Sequence, residues 1–182
     1  MKRNWVLRSV LALSLVSCSK ARTKPGPLPE PQPLVVQAQG CQLRASLERE
    51  RPSFRLGEPV VMTFSVSPEC DRPLTLLSVG DLENKFGRSE GYSVDARDST
   101  GDSAPPRQGG EMNGGGVGHI DFTRERPYRK ELRVSDYVEF RHAGRYEVTV
   151  GTLLQVGKKP ASEAGDESVH IRLVAFIDVT AS

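Results

Sequence analysis

Gly87-Arg88-Ser89-Glu90-Gly91 is the one stretch whose residue types and spacing match a catalytic pattern, G-x-S-x-G. That pattern sets a serine hydroxyl on a sharp strand-to-helix turn, where a nearby base can take its proton. His119, His142 and His170 are the available bases. The context is wrong for such a turn. Tyr92, Val94 and Ala96 alternate with Ser93, Asp95 and Arg97 immediately afterwards, which predicts a strand where the pattern needs a helix. The string reads as a Gly-bounded turn, and no catalytic residue is assigned. No metal is assigned either. The histidines are far apart with no ligand-spaced neighbour. Asp95, Asp98 and Asp102 do not follow the D-x-D/N-x-D/N-G spacing of a calcium loop and read as turn acids. Arg124, Arg126, Arg129, Lys130 and Arg133 form the only basic run, offset by Glu125 and Glu131. It reads as a solvated strand face rather than an anionic-ligand site. No motif implies a cofactor.

The elements that carry these residues begin with an export signal. Lys2, Arg3 and Arg8 precede the apolar run Val10 to Val16, and small Ser17 follows. This charge-then-apolar order is that of a signal peptide. The run is far short of the roughly 20 apolar residues a membrane-spanning helix needs. Leu15-Val16-Ser17-Cys18 resembles the lipobox of bacterial lipoproteins. The resemblance implies cleavage before Cys18, a lipid on Cys18 and anchorage to a membrane through that lipid. Ser19 rather than Asp follows the cysteine. The resemblance therefore implies outer-membrane sorting in a cell with two membranes. The alternative is a plain secretory signal ending at Ser17.

Residues 1–17 hold three basic side chains and no acid, so their removal takes the net charge from +2 to −1. No nucleic-acid partner follows from such a balance. With Cys18 committed to lipid, Cys41 and Cys70 remain. An even pair in an oxidising compartment reads as one disulfide, with two free buried thiols as the alternative. No C-x-x-C occurs, so neither a zinc ribbon nor a thioredoxin-type site is indicated.

Residues 18–39 read as a linker. Pro25, Pro27, Pro29, Pro31 and Pro33 predict a stiff extended tether. It could stand the domain about 40–60 Å from its anchor at roughly 3.1 Å per residue. Residues 40–182 read as a single all-β domain. Period-2 alternation marks strands at Leu43–Glu48, Val60–Val66, Tyr92–Arg97 and Val169–Val179. Tyr128–Val134, Tyr146–Val150 (or on to Leu154) and Leu74–Val79, which Pro73 and Gly80 bound, read as further strands. The stretch near 104–118, with Pro105-Pro106, Gly109-Gly110 and Gly114-Gly115-Gly116, reads as a flexible loop.

Phe54-Arg55-Leu56-Gly57-Glu58-Pro59-Val60-Val61-Met62-Thr63-Phe64 resembles the opening of immunoglobulin-like domains in bacterial envelope proteins. His142-Ala143-Gly144-Arg145-Tyr146-Glu147-Val148 resembles the phrase before strand F of such domains. The resemblance implies an Ig-like antiparallel β-sandwich of about seven strands, with Tyr146 as its tyrosine corner. It also implies that Cys41 and Cys70 are not the B–F disulfide. They lie before strand A and after strand B, where a bridge would pin the N-terminal edge to the B–C loop. The expected function is that of a non-enzymatic, membrane-anchored envelope lipoprotein with an interaction or structural role and a protein partner in the envelope. The alternative is an extracytoplasmic protease-inhibitor-like or ligand-binding sandwich, with 104–118 as the presented loop.

Overall fold

A computed structural model describes residues 26–79, 91–107, 117–158 and 165–182. The strands among them are β1 (Leu34–Ala38), β2 (Cys41–Arg49), β3 (Ser53–Arg55), β4 (Val61–Pro68), β5 (Leu74–Val79), β6 (Tyr92–Asp98), β7 (Val117–Phe122), β8 (Tyr128–Arg133), β9 (Gly144–Lys158) and β10 (Glu167–Thr180). A single 3-10 turn, Val134–Asp136, is the helical element among the described residues. One sheet has the order β1-β2-β4-β8. The other has the order β3-β10-β9-β5-β7, with β6 also paired to β9. The protein is therefore all-β, two sheets arranged as a β-sandwich. About seven strands were expected, and ten are found among the described residues.

Alternation builds the core. Cys41, Leu43, Ala45 and Leu47 of β2 are buried, as are Met62, Phe64 and Val66 of β4 and every second residue of β10 from Val169 to Val179. Their intervening neighbours face outward, as a sheet with one wet face requires. These residues form one cluster drawn from both sheets. Phe64 of β4 reaches across to Tyr92 of β6, edge to face at 5.3 Å, and also meets Tyr128 of β8 at 6.4 Å.

The long β9–β10 pair is the spine. Its register runs without a break from Glu167 opposite Val156 to Val179 opposite Gly144. The other edge of β9 is shared, β6 pairing over Tyr146 to Thr152 and β5 over Gln155 to Lys158. β3 lies parallel to the last residues of β10.

A clasp closes one end of the sandwich. β1 and β2 are joined by Gln39 and Gly40, at φ 53° and 70°, the left-handed pair that a two-residue hairpin needs. Gln39 is not glycine, so its conformation must be held from outside. Its side chain donates to the carbonyls of Val156 at 2.9 Å and Gly165 at 2.5 Å, and its N–H donates to Glu167 Oε2 at 2.5 Å. Arg72 donates to its carbonyl. Beside it, Cys41 and Cys70 form a disulfide with Cα atoms 5.8 Å apart, tying the start of β2 to the β4–β5 connection.

Of the stretch 18–39 read as a linker, residues 18–25 lie outside the described residues, and the rest is attached to the sandwich. β1 lies inside it and pairs with β2 along its whole length. Ahead of β1, the Gly26 carbonyl accepts from Arg145 at 2.5 Å, and the Pro29 carbonyl accepts from Arg49 at 3.1 Å. A proline-spaced segment has few N–H groups with which to satisfy its own carbonyls, and cationic donors of the domain supply the bonds. Residues 26–33 thus form a strap fastened to the sandwich. Of the loop near 104–118, residues 108–116 lie outside the described residues. Ala104 to Arg107 are held, by Ala104 N–H to Ala96, Arg107 N–H to Tyr137 and Glu139 N–H to Pro105, and β7 takes up its last two positions.

Two outcomes test this architecture. Replacing Cys41 and Cys70 together by serine should lower the unfolding free energy by about 3–4 kcal/mol, measured by urea titration, since the closed loop spans about thirty residues. Gly157→Ala should cost about 1–3 kcal/mol. A Cβ at this position would stand 2.4 Å from Asp166 Oδ1 and 2.8 Å from Oγ1 of Thr75, and Thr75 is buried.

Candidate functional site

Cys18 and residues Gly87 to Glu90, Ser89 included, lie outside the described residues. Gly91 is described, and β6 follows it directly. Its carbonyl accepts the Thr152 hydroxyl at 2.7 Å. His119 lies on β7 and His170 on β10, both exposed, while His142 precedes β9. No group of three His, Cys, Asp or Glu side chains suited to a metal occurs among the described residues.

Asp98 ends β6 and anchors the turn that follows it. Its Oδ1 accepts the N–H of Thr100 at 2.8 Å, the Thr100 hydroxyl at 2.6 Å and the N–H of Asp102 at 3.0 Å. These bonds, the Thr100 hydroxyl first, hold its carboxyl below the usual aspartate range. Asp95 pairs with Arg97 at 3.2 Å. The three acids are thus committed to local contacts or stand apart from one another.

Tyr146 is buried, and its hydroxyl donates to the His142 carbonyl at 3.0 Å, four residues upstream. Phe140 meets its ring edge-on at 4.9 Å. Burial pushes the phenol above its ordinary pKa. This hydrogen bond fixes the connection between the 3-10 turn and β9.

The basic run divides. Arg124 is used structurally, donating to the Glu69 carbonyl and lying 3.7 Å from Asp71. Arg129 and Arg133 stand on β8 beside exposed Glu131, with Leu132 buried between them. Arg133 does more than face solvent. It lines a cavity of about 180 Å3 with Arg55, Arg107, Glu58 and Ser135. No periodicity in the sequence links Arg55, Arg107 and Arg133; the β3–β4 turn, the bridge of Pro106 to Val138 and the end of β8 bring them together. Glu58 sits in the same wall, its Oε2 accepting the Arg55 N–H at 2.8 Å and Arg51 at 2.9 Å. The backbone bond from Arg55 is the main cause of its lowered pKa.

A second, broader groove of about 680 Å3 crosses the outer face of β6, β9 and β10. Ser93 and Arg172 flank Gly151, and Leu153 is 47% exposed beside His170. The Ser93 hydroxyl donates to the Gly151 carbonyl at 3.2 Å. That hydroxyl is engaged with backbone, so the groove offers shape and mixed polarity rather than an activated nucleophile.

Acid should weaken the fold through these carboxylates. Asp98, Glu58 and Glu69 all have lowered pKa values, Glu69 chiefly through its bond to Arg44. A depressed folded-state pKa contributes stability above the unfolded value, and that contribution is lost as pH falls through the folded value. The loss should begin near the ordinary values of 3.8 for aspartate and 4.5 for glutamate and continue below them. Urea unfolding from about pH 6 to about pH 3 should show it, and Asp98→Asn should flatten the slope. Equal slopes in the two proteins would remove Asp98 from this account.

No protein-family model matches the chain, and no curated protein matches it.

Proposed function

We propose that the chain is a non-enzymatic lipoprotein of the bacterial cell envelope, an Ig-like sandwich anchored through lipid on Cys18 and serving protein interaction or a structural role. The observation that carries the reading is the Cys41–Cys70 disulfide. Such bonds persist in oxidising compartments outside the cytosol. The disulfide therefore supports export independently of the Lys2-to-Cys18 pattern. The Ig-like assignment draws support from the neighbour order. β2, β4 and β8 lie together in one sheet and β10, β9 and β5 in the other, as strands A, B, E and G, F, C would. The Tyr146 bond to His142 belongs to the same pattern.

The strap changes what the anchor does. Gly26 is held by Arg145, so only the eight residue steps from Cys18 to Gly26 span the gap. At full extension that is no more than about 30 Å. The domain would sit near its bilayer, with the β3–β10 end toward it, and its partners would be proteins within that reach.

Intact mass and membrane fractionation of the protein from its own cells, beside Cys18→Ala, test the reading. The expected result is a chain beginning at Cys18 with added lipid mass, lost from the membrane fraction in the variant. A soluble, unlipidated chain that ignores the substitution would overturn it. A second variant, Arg145→Gln, should leave the anchor intact and increase protease cleavage ahead of Pro29.

A further inference from the structure

Three arginines distant in sequence line one small cavity where β3 meets β4. Arg55 belongs to β3, Arg107 follows the residue that bridges to Val138, and Arg133 ends β8. The cavity of about 180 Å3 has room for several waters at about 30 Å3 each. Part of its wall is apolar, from buried Val60, Val138 and Val179. Charges beside such a wall interact more strongly than in open water.

Guanidiniums gathered this way repel unless opposite charge offsets them. Two carboxylates share the lining, Glu58 and Asp136. Glu58 already accepts Arg51 and the Arg55 N–H on one oxygen. Ser135 accepts the Val60 N–H through Oγ at 3.3 Å and keeps its own proton to donate.

We propose that this cavity binds a phosphate-class oxyanion, held by Arg55, Arg107 and Arg133 with Ser135 donating. Planar guanidinium forks fit such oxygens in pairs, where an ammonium acts only as a point charge. A tetrahedral oxyanion has enough oxygens to accept from three guanidiniums and a hydroxyl, where a lone carboxylate has two. Its carrier is either a lipid headgroup or a soluble phosphate ester. The chain leaves toward Cys18 from this same end, since Arg145, which holds Gly26, pairs with Asp178 at 3.0 Å, one residue from Val179 of the cavity wall. The site itself needs no lipid at Cys18 and stands apart from that reading.

The test uses the whole chain carrying Cys18→Ala, labelled with 15N and titrated with inorganic phosphate at constant ionic strength. Saturable amide shifts at Gly57, Ser135 and Arg133 are expected, with Arg55→Gln and Arg133→Gln each weakening binding about fivefold or more. Arg129→Gln, outside the cavity, should bind as the parent does. Arg55 and Arg133 are both exposed, and an unchanged amide spectrum without phosphate certifies the fold of each variant. Shifts that fail to saturate, that chloride reproduces, or that survive Arg55→Gln and Arg133→Gln made together would overturn the site. Co-sedimentation with phosphatidylglycerol vesicles, compared with phosphatidylcholine, separates the carriers. Capture lost with Arg133→Gln assigns a lipid headgroup, and phosphate binding without vesicle capture assigns a soluble ester.

Discussion

The unbroken register of β9 against β10 is the constraint on which the rest of the six-stranded sheet depends. Thirteen opposed pairs hold the two strands face to face. β3 aligns on β10, while β5 and β6 take successive halves of the free edge of β9. A one-residue slip would turn Val169, Ile171, Leu173, Ala175 and Ile177 out to solvent and bring their polar neighbours inward. The four-stranded sheet then closes over that face, with Phe64 seated between Tyr92 and Tyr128.

The N-terminal hairpin is secured by two different means. The disulfide acts on the unfolded chain as much as on the folded one, by shortening the excursions open to it. The Gln39 bonds act in the folded state, satisfying the carbonyls of Val156 and Gly165 while holding a left-handed backbone that glutamine adopts only under restraint. From there the chain runs back along the sandwich as the strap held by Arg49 and Arg145. The path from the first described residue to the core is thus fastened at both ends. A stretch whose composition suggests a free spacer is, over residues 26–38, held against the sandwich.

Strands with a strict period of two were legible from the chain alone. β2, β4, β6 and β10 carry apolar residues on one face, and their positions follow from that pattern, while β5, with Leu74, Thr75 and Leu76 buried in succession, is marked by the Pro73 and Gly80 that bound it. The strands that escaped it lack a local signal. β1 is five residues following a proline run, and its pairing depends on a Gln-Gly turn that resembles no strong hairpin signal. β3 is three residues long and exists through its parallel contact with β10. β7 exposes Gly118, His119 and Ile120 in succession, so alternation is absent. The Tyr146 bond could be anticipated because its partner lies four residues away in a recognisable phrase. The arginine cavity could not be, because Arg55, Arg107 and Arg133 are separated by 52 and 26 positions and meet only through tertiary structure.

Export is the premise beneath the proposed role, and the disulfide is its most direct physical consequence. Thiol trapping in intact cells reads that bond where the protein lives. Cells are treated with a mass-adding maleimide before and after reduction, and the chain is resolved by size. The account predicts that Cys41 and Cys70 resist alkylation until a reductant is supplied and then gain two adducts together. Two adducts in unreduced cells would show free thiols in a reducing compartment and contradict the account at its base.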